Sequence, residues 1–209
     1  MSRPRENRVD PSGAIHAVAA RGGMMGNRGG RFHLPADPQT GEGPRLGRRR
    51  WVSRQWICCV LSFKGRRRQV MGAGYTELFF LDEATALAAG HRPCFECRRA
   101  DALAFAEAWA RAHDLPERPR APAMDLVLHA QRLGPRARGP AAALPEGAML
   151  RLEGAPALKL GEAALPWGWE GYAPPRPLPD GEVEVLTPPA ILAALAAGFR
   201  PQLHPSARA

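Results

Sequence analysis

The sequence predicts an α+β fold, with an N-terminal β-hairpin/helix module and a small β-rich C-terminal module that ends in a helix. Three observations carry that expectation. Trp56-Ile-Cys-Cys-Val-Leu-Ser-Phe63 is a continuous apolar run of strand length, followed by a Lys64-Gly65 turn and a charged return. The stretch Ala88-Ala-Gly-His-Arg-Pro93 recurs as Ala196-Ala-Gly-Phe-Arg-Pro201, and each copy places a glycine and then a proline where a helix should stop. Residues 116–147 are rich in Pro, Arg and Ala and read as a connection between modules spanning 1–115 and 148–209.

The elements follow in order. Ala14 to Val18 reads as a short strand, and Gly26-Asn-Arg-Gly-Gly30 suits tight turns with φ > 0. Residues 34–47 read as an exposed loop. Arg67 to Met71 is the expected return strand of a hairpin with Trp56 to Phe63. Tyr75 to Leu81, rich in aromatics, is a third strand. Asp82 is placed to cap a helix from Glu83 to Ala89, with Gly90 at its C-terminal stop. A second helix is expected from about Cys94 to His113, with Phe95, Leu103, Phe105 and Trp109 on its apolar side. Within 116–147 only Met124 to His129 forms an apolar patch. Ala148 to Leu152 and Ala157 to Leu160 alternate around Gly154 as a hairpin would. Trp167, Trp169 and Tyr172 form an aromatic cluster of the kind that closes a small core. Glu182 to Leu186 reads as a strand, and Thr187-Pro188 as the cap of a helix running to Ala197.

A chain of 209 residues can bury a core without disulfide staples. It has no run of eighteen apolar residues, so no membrane span is expected. MSRPRENRVDPSG has no apolar segment of the secretory kind, so the expected location is the cytoplasm. Thiols stay reduced there, and a close cysteine pair then points to metal or redox chemistry rather than to a structural bridge.

The net charge of +9 is uneven. Residues 1–75 hold fifteen Arg/Lys against four Asp/Glu, and the remainder hold fourteen against sixteen. Such an asymmetry suits a surface that meets phosphate, although a composition heavy in Ala, Arg, Gly and Pro yields a basic balance by itself. Arg48-Arg-Arg50 and Arg66-Arg-Arg68 bracket the apolar strand near Trp51 and Trp56, where arginine can grip phosphate and an indole can stack on a base. The plainer reading is a solvated turn guarding an edge strand. There is no phosphate-binding Gly-Lys-Ser/Thr loop, no Gly-x-Ser-x-Gly elbow, no His-Asn-His pattern and no convincing carboxylate pair.

Pro93-Cys94-Phe95-Glu96-Cys97 sets two thiols three residues apart at the expected start of a helix. There the helix dipole favours thiolates, as do Arg92, Arg98 and Arg99 nearby. Two such thiolates can fill half of a tetrahedral Zn2+ shell. A redox dithiol normally follows a strand, whereas this pair follows a short helix, so metal is the preferred reading and inert thiols the plain one. Cys58 and Cys59 are adjacent in a strand and point to opposite faces, so one of them at most reaches a shared metal. Core packing suits the other. Cys58 and His33 are the candidates for the remaining ligands, with His91 behind them.

The stretch from Phe79 to Cys97 resembles the second half of the Ada-type metal-binding domain in order, spacing and both cysteines. That domain holds zinc by two ligand pairs, and one zinc thiolate accepts a methyl group from a DNA phosphotriester. The resemblance implies zinc at Cys94 and Cys97 and DNA as a partner. The Cys-x3-Cys that supplies the domain's first ligand pair has no counterpart here. The layout is also similar to a family of bacterial proteins that share the run Tyr75-Thr-Glu-Leu-Phe-Phe-Leu-Asp-Glu-Ala84, a likeness that implies no reaction.

The expectation is therefore a zinc-binding-like basic module in a zinc-stabilised nucleic-acid-binding protein, with DNA before RNA. Arg66, Arg67, Arg68, Arg98 and Arg99 are its expected phosphate contacts. A DNA-repair-type enzyme, either a zinc-thiolate alkyl acceptor or a metal-dependent nuclease, is the first alternative. A metal-free structural or adaptor protein is the second.

Overall fold

A computed structural model describes residues 4–67 and 69–208. Its secondary structure combines strands and helices, an α+β arrangement. The first sheet gathers β1 (Glu6–Val9), β2 (Ile15–Ala17), β3 (Met24–Arg28), β6 (Trp56–Cys59), β7 (Leu78–Phe80) and β8 (Arg92–Pro93) in the order β2-β1-β7-β3-β6-β8. A separate short pair is formed by β4 (His33–Leu34) and β5 (Arg45–Leu46). Between β7 and β8 lies α1 (Glu83–Ala88), and after β8 come α2 (Arg99–Ala112) and α3 (Ala121–Leu133). The second sheet holds β9 (Ala137–Pro140), β10 (Met149–Leu152), β11 (Ala155–Leu160), β12 (Ala163–Pro166), β13 (Arg176–Pro177) and β14 (Glu182–Val185). Its order is β13-β12-β11-β10-β14-β9, and α4 (Pro189–Ala196) follows it. Among the described residues no helix is long and apolar enough to cross a membrane.

The expected hairpin after Trp56 does not form. Both edges of β6, which ends at Cys59, are already taken, by β3 antiparallel on one side and β8 parallel on the other. With no free edge to receive a return strand, the described residues between Val60 and Tyr75 form no strand; Arg68, within the expected return, lies outside the described residues. Gly26-Asn-Arg also departs from the turn expected of it: it belongs to β3, in the middle of the sheet. Gly26 is needed there for space. A Cβ at this position would lie 2.1 Å from the Ile57 carbonyl oxygen. Gly26→Ala is therefore expected to lower stability by about 3 kcal/mol, read as a lower denaturant midpoint. An unchanged midpoint would contradict this close approach.

α1 forms where its capping signals put it. Asp82 accepts a hydrogen bond from the Thr85 amide, and Gly90 ends the helix with φ +80°. Gly198 does the same after α4 with φ +101°, so the two Ala-Ala-Gly-x-Arg-Pro stretches share a helix-stopping role. At α4 the cap falls on Pro188 as expected, but the Thr187 hydroxyl takes no part in it and accepts from the Met149 amide instead. Residues 116–147, expected as a plain connection, contain α3 and β9. The expected C-terminal hairpin is β10–β11, with Leu152 opposite Ala155. Glu153 and Gly154 both adopt positive φ, the conformation a tight two-residue turn requires.

Burial organises the molecule around α1, all of whose residues are buried. Leu87 packs with Phe105, Trp109, Met124, Leu128, Leu150 and Ile191 in one cluster. Ala84 and Ala88 face Met149, Leu158 and Leu186 in a second, which Tyr172 and Trp167 help to close. Ala86 joins Val9, Leu78 and Phe80 in a third. Trp167 and Tyr172 tie back to α1 by hydrogen bonds to the Thr85 hydroxyl and the Asp82 carboxylate. On the opposite flank the guanidiniums of Arg28 and Arg132 each lie 4.0 Å from the Trp56 ring, anchoring β6 against α3.

Candidate metal centre

Two neighbouring elements build the site. The parallel pairing of β6 with β8 sets Cys58 beside Pro93, and the Cys94 amide then donates to the Cys58 carbonyl at 3.0 Å. This register carries Cys94 alongside Cys59. The chain turns before α2, and the turn brings Cys97 back to the same place. The sulfurs of Cys59, Cys94 and Cys97 all lie within 4.8 Å of one another, close enough to hold a metal ion together. Cys59 and Cys94 are buried, and Cys97 is half-buried. The two thiols of the Cys-x-x-Cys pair thus precede the helix rather than occupying its first turn: α2 begins at Arg99, because Arg92 and Pro93 are held in the sheet.

Hydrogen bonding within the cluster favours the thiolate form of Cys94. The thiols of Cys59 and Cys97, followed by the backbone amides of Cys97 and Glu96, hold it well below the ordinary thiol range. The Glu96 amide donates to the Cys94 sulfur at 3.4 Å. The same bonds push Cys59 up, through Cys94 and then Cys97. Because only thiolates ligate, a metal entering the cluster would displace the remaining thiol protons.

A cavity of about 340 Å³ is lined by all three cysteines. Alternation along the strands supplies one wall: Met25 and Asn27 of β3, Ile57 and Cys59 of β6, and Phe79 of β7 all line it. The Val60-to-Tyr75 loop supplies another, with Phe63, Arg66, Arg67 and Tyr75. Arg21 lies 4.7 Å from the Phe79 ring, and Arg66 pairs with Glu96 at 2.7 Å. The cavity is therefore basic and aromatic, with Glu77 and Glu96 as its acidic members.

Of the four ligands expected from the sequence, the fold brings Cys94 and Cys97 together and leaves Cys58 and His33 apart. Cys58 points to the opposite face of β6, where it is fully buried and accepts from Arg98 at 3.6 Å. Burial, with the negative charge of Glu83, pushes its thiol up, so it stays protonated. Its neighbour Cys59 takes the place foreseen for it, as strand alternation requires once Cys58 is fixed in the core. Both ring nitrogens of His33 are committed, Nδ1 to the Thr76 hydroxyl at 2.8 Å and Nε2 to the Gly72 carbonyl at 3.0 Å. His91 is fully buried between Trp56 and Phe80, and burial holds its pKa well below the usual imidazole value.

The expected phosphate contacts separate in the same way. Arg66 and Arg67 are exposed and line the cavity. Arg68 lies outside the described residues. Arg99 is exposed at the start of α2 but is not among the residues lining the cavity. Arg98, expected on phosphate, is instead buried, and its guanidinium grips the Glu83 carboxylate at 2.6 and 2.8 Å and Asp101 at 2.9 Å. Its charge is spent inside the fold. Arg21, not foreseen, stands on the cavity in its place. Nothing near Arg21 in the sequence distinguishes it from the other N-terminal arginines.

No known protein-family model matches the chain, and neither the curated proteins nor the solved structures contain a significant match.

Proposed function

We propose that the chain is a zinc-stabilised nucleic-acid-binding protein, with Zn2+ held by Cys59, Cys94 and Cys97. One observation carries this reading: three cysteines whose sulfurs can share a metal line a cavity that Arg21, Arg66 and Arg67 also line. Three thiolates suit a borderline-soft ion such as zinc better than the hard oxygen-seeking cations. Arg21, Arg66 and Arg67 offer charge to phosphate, and Phe63 and Tyr75 offer ring faces to an unpaired base. The basic excess of residues 1–75 favours a polyanionic partner, and the likeness of the Phe79-to-Cys97 stretch to the Ada-type domain favours DNA over RNA.

Two measurements test the proposal. Purified protein should carry zinc at about one ion per chain by elemental analysis. Labelled DNA should bind with an affinity that falls steeply with salt, and exchanging Arg66 and Arg67 together for alanine should flatten the logarithmic slope by about two. Metal far below one ion per chain, or binding indifferent to salt, would remove the reading. The half-exposure of Cys97 favours a second one, in which a metal-bound thiolate accepts an alkyl group from DNA. It predicts a methyl increment on a cavity cysteine after incubation with methylated DNA, detected by peptide mass spectrometry.

A further inference from the structure

We infer that the three-cysteine centre keeps one coordination position for a ligand from outside the chain, and that this ligand is an oxyanion of the phosphate class entering through the adjoining cavity. The inference rests on the metal-binding part of the proposal above and on nothing in its nucleic-acid part.

The ligand set points that way. Structural zinc sites close their tetrahedron with four protein donors, whereas three protein donors leave a position for water or substrate. Among the described residues no fourth Cys, His, Asp or Glu joins the group of Cys59, Cys94 and Cys97. The neighbouring donors have other tasks. Cys58 faces Arg98 across the strand, and His33 is bonded at both nitrogens. Glu77 lines the cavity, but its Oε2 accepts the Met71 amide at 2.7 Å. Glu96 is held by Arg66 at 2.7 Å.

Space and charge then select the ligand. All three cysteines line a cavity of about 340 Å³, within the range that holds a small molecule. Three thiolates around a divalent cation carry one net negative charge, so an anionic fourth ligand needs positive charge nearby. Arg21, Arg66 and Arg67 supply it from the cavity lining. Ile57, Val60, Phe63 and Phe79 form apolar walls between these cations. Arginine also matches the oxygens of phosphate in geometry. The Glu96 carboxylate now occupies Arg66, and an incoming oxyanion displaces it.

The test replaces zinc with cobalt(II), whose visible spectrum separates the shell's parts. Thiolate-to-cobalt charge transfer reports the cysteines, and the d–d bands report the fourth ligand. Inorganic phosphate is the probe. The expected result is a charge-transfer band from three thiolates and a saturable shift of the d–d bands on phosphate addition. Exchanging Arg66 and Arg67 together for alanine should weaken the phosphate effect about tenfold or more. Glu96→Gln should strengthen it several-fold, and neither change should alter the charge-transfer band. A d–d spectrum indifferent to phosphate overturns the inference and leaves metal binding standing. So does phosphate that binds by calorimetry without moving the d–d bands, since the arginines alone then hold it. Absence of thiolate charge transfer removes the metal reading itself, and this inference with it.

Discussion

Cys59→Ala is expected to strip the chain of bound metal, while Cys58→Ala leaves it in place. The two residues are adjacent and chemically identical, and only the alternation of β6 separates them. Cys59 shares its sulfur's surroundings with Cys94 and Cys97, whereas Cys58 lies on the other face against Arg98. Losing even an outer partner of a metal ligand costs roughly 10- to 100-fold in affinity. Removing one of three thiolates should cost more, about a thousandfold or beyond, because two sulfurs no longer form a shell. Elemental analysis after chelator-equilibrated gel filtration reads the outcome. Metal retained by the Cys59 variant and lost by the Cys58 variant would reverse the assignment.

The second large effect belongs to Arg98. Arg98→Ala is expected to destabilise the fold by about 3–5 kcal/mol, the cost of breaking a buried ion pair at one partner. Side-chain exposure is 1% for Arg98 and 0% for Glu83, so the stranded carboxylate would have no water to turn to. Burial already pushes Glu83 up against the opposing pull of Arg98. Without the guanidinium its folded-state pKa rises further. A carboxyl raised in this way favours folding below the ordinary carboxylate range and loses that contribution as pH climbs through the folded-state value. The Arg98→Ala penalty should therefore be largest near neutrality and shrink in acid, a trend that urea unfolding at several pH values can follow. The double variant Glu83→Gln/Arg98→Met should lose less than the single one. A neutral-pH penalty below about 1 kcal/mol, the worth of an exposed pair, would contradict the burial of this one.

How far the sequence was legible depends on how local each determinant is. Asp82, Gly90 and Gly198 speak to their own helix ends, and those ends fall where expected. The Glu153-Gly154 turn is equally local, and its hairpin forms. The missing hairpin after Trp56 is a non-local matter: nothing within the run Trp56 to Phe63 announces that β3 and β8 will occupy both edges of its strand. The same limit governs the site. That only one of Cys58 and Cys59 can face a shared metal follows from strand geometry. Which one does so depends on the core lying on the side of Arg98 and Glu83. Arg98 itself looked like surface because arginine usually is, and its carboxylate partner stands fifteen residues away at the start of α1.

The insertion of α1 into all three apolar clusters has a consequence for how the molecule comes apart. A cut after residue 115 would expose Leu87, Phe105 and Trp109 where Leu150 and Ile191 now cover them. Both sheets should therefore melt in one cooperative step. The amides slowest to exchange with deuterium should then be found on both sides of the central helix.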